Sequence, residues 1–298
     1  MSKIQTALSK LQGGKDRKPD DHSLVPPVVR RKDPEVPRGA QVGLVNHNYQ
    51  GRQVAIDFSM LESQGLRPPE SHEQQTADEY RAIKRPLLKN ADSKEPIVTR
   101  GNLWMITSAL AGEGKTFSSI NLALSIARER DRSVVLVDLD CGKAHISQLL
   151  DATDAPGFLD LLSDPSLNFD SLVMPTDIPG LSFMSVGKRG DHASELLSSG
   201  RMRELCESIS AADPNRIVLF DSSPLLLTAE APVLASEVGQ VILVVRANKT
   251  PRQAVLDAYH RLEVSIPANL ILTHAAARES VNVYGGYYGY GVSEKLPD

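Results

Sequence analysis

Apolar and polar positions along this chain fall into two alternating patterns. Between residues 96 and 275, short unbroken apolar runs recur at Leu103–Thr107, Val134–Asp138, Leu181–Val186, Ile217–Asp221, Val241–Val245 and Leu270–Thr273. Runs of this length predict strands buried on both faces. Between them apolar residues return every three or four positions. That spacing predicts helices over Lys115–Glu129, Ala193–Ala211 and Thr250–Val264, with shorter ones between. Strand and helix in alternation imply right-handed crossovers. The fold class expected is therefore α/β, a doubly wound and mainly parallel sheet covered on both faces. Ligands of such a sheet bind at the carboxyl ends of its strands.

The pattern changes before residue 96. Ile4, Ala7, Leu8 and Leu11 share one face of a short helix, either a weak lead-in or a docking handle for a partner. From Gly13 to about Gln53 the chain is polar and punctuated by Pro19, Pro26, Pro27, Pro34 and Pro37, which predicts a mobile linker. Arg30-Arg31-Lys32 within it reads as a solvated charge cluster. Thr76-Ala-Asp-Glu79 has the form of a capping box. Tyr80, Ile83, Leu87 and Leu88 then line one helical face, and Pro86 is expected to kink the helix or end it early. The resulting division is an N-terminal extension and linker (1–70), an interface helix (71–95), a main domain (96–275) and a tail (276–298).

Composition narrows the function classes. Of 298 residues, 41% are hydrophobic, enough for a sizeable core. A net charge of −4 gives no electrostatic case for nucleic acid. Cys141 and Cys206 are too few for a disulfide framework and suit a reducing compartment. No run of about 18 apolar residues is present to span a membrane, and Met1–Leu8 has no signal-peptide apolar core. The seven His are scattered without metal-ligand spacing.

The chemistry gathers at three strand ends. After Leu103–Thr107 comes Gly112-Glu-Gly114-Lys115-Thr116, then a helix with Ile120, Ala123, Leu124 and Ala127 on one face. Strand, glycine loop, Lys-Thr and helix form the phosphate-binding loop of an NTPase. Glycines let backbone N–H groups close on phosphate oxygens, and the helix N-terminus adds partial positive charge. The opening glycine of the usual pattern is replaced by Ala109 or Leu110. Val134–Val137 runs into Asp138-Leu-Asp140, and Ile217–Phe220 runs into Asp221-Ser-Ser-Pro224. A lone aspartate there could equally cap the next turn. Three such ends in one parallel sheet favour a shared site of hard oxygen ligands suited to Mg²⁺. At the C-terminus, Tyr284, Tyr287, Tyr288 and Tyr290 lie within seven residues, in a chain with seven tyrosines in all.

Together these motifs resemble those of the bacterial tyrosine kinases, the BY-kinases. Gly112–Thr116 is similar to their Walker A motif, Asp138-x-Asp140 to their second Walker motif, Phe220–Pro224 to their Walker B, and Tyr284–Tyr290 to their tyrosine cluster. The opening Met1–Leu11 and Glu79–Leu88 look like the stand-alone autokinases of exosortase-linked exopolysaccharide clusters. The resemblance covers roughly Thr76 to Tyr290. It implies a P-loop NTPase (MinD/ParA-like) sheet, a mostly disordered N-terminal extension and a Tyr-rich tail. This chain departs from the family pattern at Gly142, where an Arg is usual and Lys143 follows, and at Ala111 in place of a proline. The family's Glu-x-x-Arg-x-x-Arg becomes Asp78-x-x-Arg81-x-x-Lys84.

The resemblance also implies roles. Ala111, Gly112, Glu113, Gly114, Lys115, Thr116 and Phe117 would surround ATP. Thr116, Asp138 and Asp221 would hold Mg²⁺. Lys115, Asp138 and Asp140 would be catalytic, with Asp138 accepting the tyrosine proton. Tyr284, Tyr287, Tyr288 and Tyr290 would be phosphoacceptors, and Asp78, Arg81 and Lys84 an oligomer interface. Implied partners are further copies of the chain, with a ring as one form, a separate transmembrane polysaccharide co-polymerase, and a tyrosine phosphatase. The expected location is cytoplasmic, with recruitment to the inner face of the plasma membrane by that partner. Two rival readings stay open. One is a MinD/ParA-like ATPase switch, which normally carries a Lys where this loop has Ala109 and Leu110. The other is a catalytically weak ATP-binding scaffold, motivated by Gly142.

Overall fold

Among the residues described by the computed structural model (49, 52–92, 98–190, 193–262 and 266–275), seven strands form one sheet. They are β1 (Leu103–Ser108), β2 (Ser133–Leu139), β3 (Met174–Pro175), β4 (Leu181–Met184), β5 (Arg216–Ser222), β6 (Gln240–Arg246) and β7 (Ala268–Thr273). Their order is β3-β4-β2-β5-β1-β6-β7, and every pairing is parallel except the short β3–β4 edge. The Ile4–Leu11 face, the Arg30–Lys32 cluster and the tail tyrosines lie outside the described residues.

All six apolar runs are strands, five of them for the expected reason. Successive side chains of a strand point to opposite faces, and in five of the six both faces are covered, whereas the edge strand β7 leaves Leu270 and Leu272 exposed. Leu103, Met105, Val135, Val137 and Phe220 pack into one core with Phe158, Met202 and Leu234. Trp104, Ile106, Val134, Leu136 and Leu219 pack into the other with Tyr80, Leu87, Ile120 and Ile126. Phe158 meets Phe220 edge-on at 5.3 Å between ring centroids. The second core is roofed by two helices, α2 (Glu70–Ala91) and α3 (Lys115–Ala127). A short helix, α1 (Phe58–Ser63), is capped by Asp57 and buries Leu61. Val54 forms a parallel bridge to Thr176, so the stretch just before α1 is tied to the sheet edge.

Several boundaries differ from the sequence expectation. The α2 helix begins at Glu70 behind Pro69, with Glu70 and Glu73 in its first turn, so Thr76 is interior and caps nothing. Pro86 does not end it. Pro86 and Ala82, whose carbonyl would have received the missing N–H, are both exposed, so water replaces that bond. Leu87 beyond it is buried, and Gln240 donates from Nε2 to its carbonyl at 3.0 Å, which anchors the last turn. The expected helix over Ala193–Ala211 is two, Ala193–Leu197 and Gly200–Ala212. Ser199 caps the second by accepting from Met202 N–H. The helix expected from Thr250 starts at Arg252. The β4 strand stops at Met184 because the Ser185 and Val186 carbonyls accept from Phe158 and Leu159 at the start of another helix.

Lys84, expected at an oligomer contact, is turned inward. Its ammonium donates to the Ser125 carbonyl at 2.5 Å and pairs with Glu129 at 2.6 Å, which clips α2 to α3. An ammonium left at an apolar helix–helix seam would be strongly disfavoured without those acceptors. Replacing Lys84 with Met should lower the unfolding free energy by about 1–2 kcal/mol, since a buried carbonyl loses a charged donor. Denaturant titration of the two proteins measures it, and identical midpoints would mean the clip contributes nothing.

Candidate active site

The loop between β1 and α3 is shaped by two left-handed residues, Gly112 (φ +75°) and Gly114 (φ +96°). Only glycine takes these angles without strain. A side chain at Gly114 would also press on the Thr273 methyl, 3.3 Å from an ideal Cβ. Lys115 opens the helix, so the loop amides and the helix N-terminus face one side together. The loop is braced from behind. Glu113 is buried and accepts from Leu110 N–H at 2.8 Å and from the Thr250 hydroxyl. The Thr273 hydroxyl donates to the Glu113 carbonyl at 2.7 Å, and Arg246 reaches the Gly112 carbonyl at 3.4 Å. These braces come from the ends of β6 and β7 and the turn after β6.

The carboxylates arrive on neighbouring strands. The β2–β5 register places Asp138 directly opposite Asp221. Asp221 accepts from the Thr116 hydroxyl at 2.9 Å and the Ser119 hydroxyl at 2.8 Å. Burial, then the neighbouring Asp138, push its pKa up to about 7, against the opposing pull of Ser119, Lys115 and Thr116. Asp138 is also fully buried. Ser147 gives its Oδ2 both N–H and hydroxyl, each at 2.8 Å, and burial raises its pKa despite them. Asp140 accepts from the Ser223 hydroxyl at 2.9 Å. Burial lowers the pKa of Lys115, opposed by Asp221 and Asp140. The Lys115 ammonium makes no hydrogen bond among the described residues, which leaves it free for a phosphate oxygen.

The loop, Lys115, Thr116 and Asp140 open into one cleft of about 710 Å³, while Asp138 and Asp221 are buried behind it and do not line it. Gly112, Gly114, Lys115, Thr116, Asp140 and Lys143 line its polar side, and Tyr80, Ile83, Phe117, Ile271 and Leu272 its apolar side. Of the residues expected around the nucleotide, Gly112, Gly114, Lys115, Thr116 and Phe117 line the cleft. Ala111 does not, and the Glu113 side chain points away from it as a brace. Among the described residues no three His, Cys, Asp or Glu side chains form a self-sufficient metal site. An all-oxygen set of one hydroxyl and two carboxylates suits Mg²⁺, which typically binds one or two carboxylates together with substrate phosphates. Asp78 and Arg81 form an exposed pair at 2.5 Å on α2, apart from the cleft. Gly142 carries no side chain into the site, and Lys143 supplies a cation one residue later.

Sequence reasoning missed the residues that hold the site together. Ser119 lies one helical turn beyond Thr116, and that spacing could have identified it. Ser147, Ser223, Thr250 and Thr273 act from distant segments and leave no local signal.

No protein-family model matches the chain. It is similar to the tyrosine-protein kinase YwqD of Bacillus subtilis (strain 168), with 30% identity over 186 residues, covering 62% of this chain and 76% of that protein. It is 28% identical to the tyrosine-protein kinase Wzc of Salmonella typhi, over 65% of this chain and 26% of that protein. The chain spans about a quarter of the length of the longer curated relatives it matches. Among solved structures, the kinase domain of VpsO superposes with a TM-score of 0.56 at 27% identity, over 68% of this chain and 98% of that domain.

The buried Asp221 gives the ligand-free protein a defined pH response. Its folded pKa of about 7 lies above the usual 3.8. The folded state therefore binds a proton that the unfolded state has released, and stability falls as pH rises from about 4 through 7. Asp221→Asn removes that titration. Its melting temperature relative to the unsubstituted protein should be higher at pH 8 than at pH 5.5. An equal difference at the two pH values would show that Asp221 does not titrate as described.

Proposed function

The chain belongs to the bacterial tyrosine kinase family, and from that premise we propose that it is an ATP-dependent protein tyrosine autokinase. Its acceptors are Tyr284, Tyr287, Tyr288 and Tyr290, presented in trans within a homo-oligomer. One observation carries the reading: the phosphate loop, Asp140 just beyond β2 and the point where the chain leaves β7 line one cleft, with Asp138 and Asp221 buried behind it. A nucleotide-binding ATPase needs the first two, whereas an autokinase also needs its acceptors close by. Eight residues lie between Ala275, on the cleft wall, and Tyr284.

The chemistry follows from the groups present. Loop amides and Lys115 hold the β- and γ-phosphates and neutralise charge as it shifts during transfer. Mg²⁺, when bound at Thr116, Asp221 and Asp138, supplies further neutralisation. The tyrosine oxygen attacks the γ-phosphorus, the bond to the bridging oxygen breaks, ADP leaves and the phenolic proton goes to Asp138. Ser147 holds the Asp138 Oδ2 with two donors and the Asp140 N–H reaches Oδ1 at 3.3 Å, so Asp138 would accept that proton on Oδ1, the less firmly held oxygen. A phenol has a pKa near 10, so even a carboxylate made more basic by burial helps mainly once transfer is under way. Ser223 orients Asp140 beside it.

The same reading assigns the chain to the control of exopolysaccharide or capsule synthesis and export. A separate transmembrane co-polymerase would activate it at the inner face of the membrane, and a tyrosine phosphatase would reset it. Among the described residues no helix is long and apolar enough to cross a membrane. The exposed Asp78 and Arg81 on α2 remain the proposed subunit contact.

Lys115→Met should leave the fold intact and abolish phosphotyrosine formation with Mg·ATP. Asp138→Asn should slow it by about 10²–10⁴-fold, the usual contribution of one general base or electrostatic group. Phosphotyrosine detection on the purified variants measures both, and unchanged signal in Lys115→Met would overturn the kinase reading.

A further inference from the structure

On the other side of α2 from the nucleotide cleft lies a second cleft of about 660 Å³, between α2 and α3. Its charged lining is five cations, Arg81, Lys84, Arg85, Lys89 and Arg128, against two anions, Asp92 and Glu129. Five positive and two negative charges leave +3, in a chain whose net charge is −4. The anions are already engaged. Glu129 pairs with the buried Lys84, and Asp92 pairs with Arg132. Arg85, Lys89 and Arg128 are exposed and form no ion pair or hydrogen bond among the described residues. The fold thus holds three uncommitted cations around one concavity, and the nearest acidic groups cannot neutralise them.

We propose that this groove is the docking site of the chain's own tail once the tail carries phosphotyrosine. The proposal rests on the autokinase reading and extends it to regulation. Three observations select this occupant. The first is reach. Ala275 lines the nucleotide cleft beside Thr76, Tyr80 and Ile83, whereas Ala77, Arg81 and Arg85 line the basic groove. The two clefts are therefore separated by the thickness of one helix, about 10–12 Å with its side chains. The nine Cα–Cα steps from Ala275 to Tyr284 extend to at most about 30 Å. The second is charge. Each phosphotyrosine carries about −1.5 to −2, so four bring about −6 to −8 to a groove of +3. The third is displacement. By the same count the nucleotide cleft is lined by Lys115, Lys143 and Arg246 against Glu79 and Asp140, or +1, with Asp138 and Asp221 buried behind, so a modified tail is drawn more strongly to the +3 groove across α2. Arginine pairs with phosphate through two parallel hydrogen bonds, and Arg85 and Arg128 supply that geometry from facing helices. A tail seated there covers Arg81 and so masks the proposed subunit contact. In this arrangement phosphorylation releases the tail from the active site and also closes the surface used for reassembly.

The test uses the full, unphosphorylated chain and a synthetic peptide of residues 281–293, made with phosphate on all four tyrosines or on none. Fluorescence anisotropy should show the phosphopeptide binding at least about tenfold more tightly than the plain one. The triple variant Arg85→Gln, Lys89→Gln, Arg128→Gln should lose at least about tenfold in phosphopeptide affinity, as expected when charge-assisted contacts are removed. Equal phosphopeptide affinity in the unsubstituted and triple-variant proteins would overturn the proposal. So would a groove that binds no phosphopeptide but carries the protein onto phosphatidylglycerol vesicles, with that binding lost in the triple variant; the groove would then be a membrane contact. Because the phosphates are installed by synthesis, the result is independent of autokinase activity. Intact peptide binding in a chain that fails to phosphorylate itself would remove the kinase reading and leave the groove assignment standing.

Discussion

A carboxylate buried at the centre of the sheet sets the terms for the rest of the molecule. Asp221 is almost wholly removed from water, directly across the β2–β5 register from a second buried carboxylate, Asp138. Burial first, and then the neighbouring carboxylate, disfavour the ionised form of Asp221 and raise its pKa to about 7. The fold sustains the pair with hydroxyls. Thr116 and Ser119 reach Asp221 from one helix, and Ser147 reaches Asp138 with two donors. The apolar layers on both faces of the strands hold those donors in register. Such oxygens would suit a divalent cation held together with a phosphate chain, because hard cations take them readily.

The second constraint is the bracing of the phosphate loop. Its glycines give it curvature but no rigidity, and Glu113, Thr250, Thr273 and Arg246 fix it to the ends of β6 and β7. Thr273 is also the last residue of β7, so the chain leaves the sheet from the residue that steadies the loop. The α2 helix then stands between the nucleotide cleft and a more basic groove lined by Arg85, Lys89 and Arg128.

Much of this was legible in the sequence because the relevant forces act locally. A strand buried on both faces must be apolar throughout, so five of the six runs declared themselves for that reason, and the sixth, β7, is an apolar edge strand with Leu270 and Leu272 exposed. A loop that receives phosphate must contain glycine, so Gly112 and Gly114 marked the site. The errors have equally physical causes. Thr76 and Glu79 match a cap, but a cap matters only where a helix begins, and the acidic turn behind Pro69 begins it earlier. Pro86 was expected to break the helix, but solvent covers its missing bond and burial of Leu87 continues the helix. Lys84 reads as a surface cation in the motif, yet its partners, Ser125 and Glu129, lie 41 and 45 positions onward and become visible only when α2 packs on α3. The bracing hydroxyls were invisible for the same reason. Serine and threonine are common, and only the topology selects Ser147, Ser223, Thr250 and Thr273.

The central claim is that the cleft transfers phosphate to the tail that leaves from its rim. Intact-mass analysis of the full chain before and after incubation with Mg·ATP tests it most directly, with the modified positions mapped by fragmentation. The account predicts mass gains in whole phosphoryl increments, up to four, located at Tyr284, Tyr287, Tyr288 and Tyr290. An unchanged mass alongside ATP hydrolysis, or phosphate confined to residues away from the tail, would contradict it.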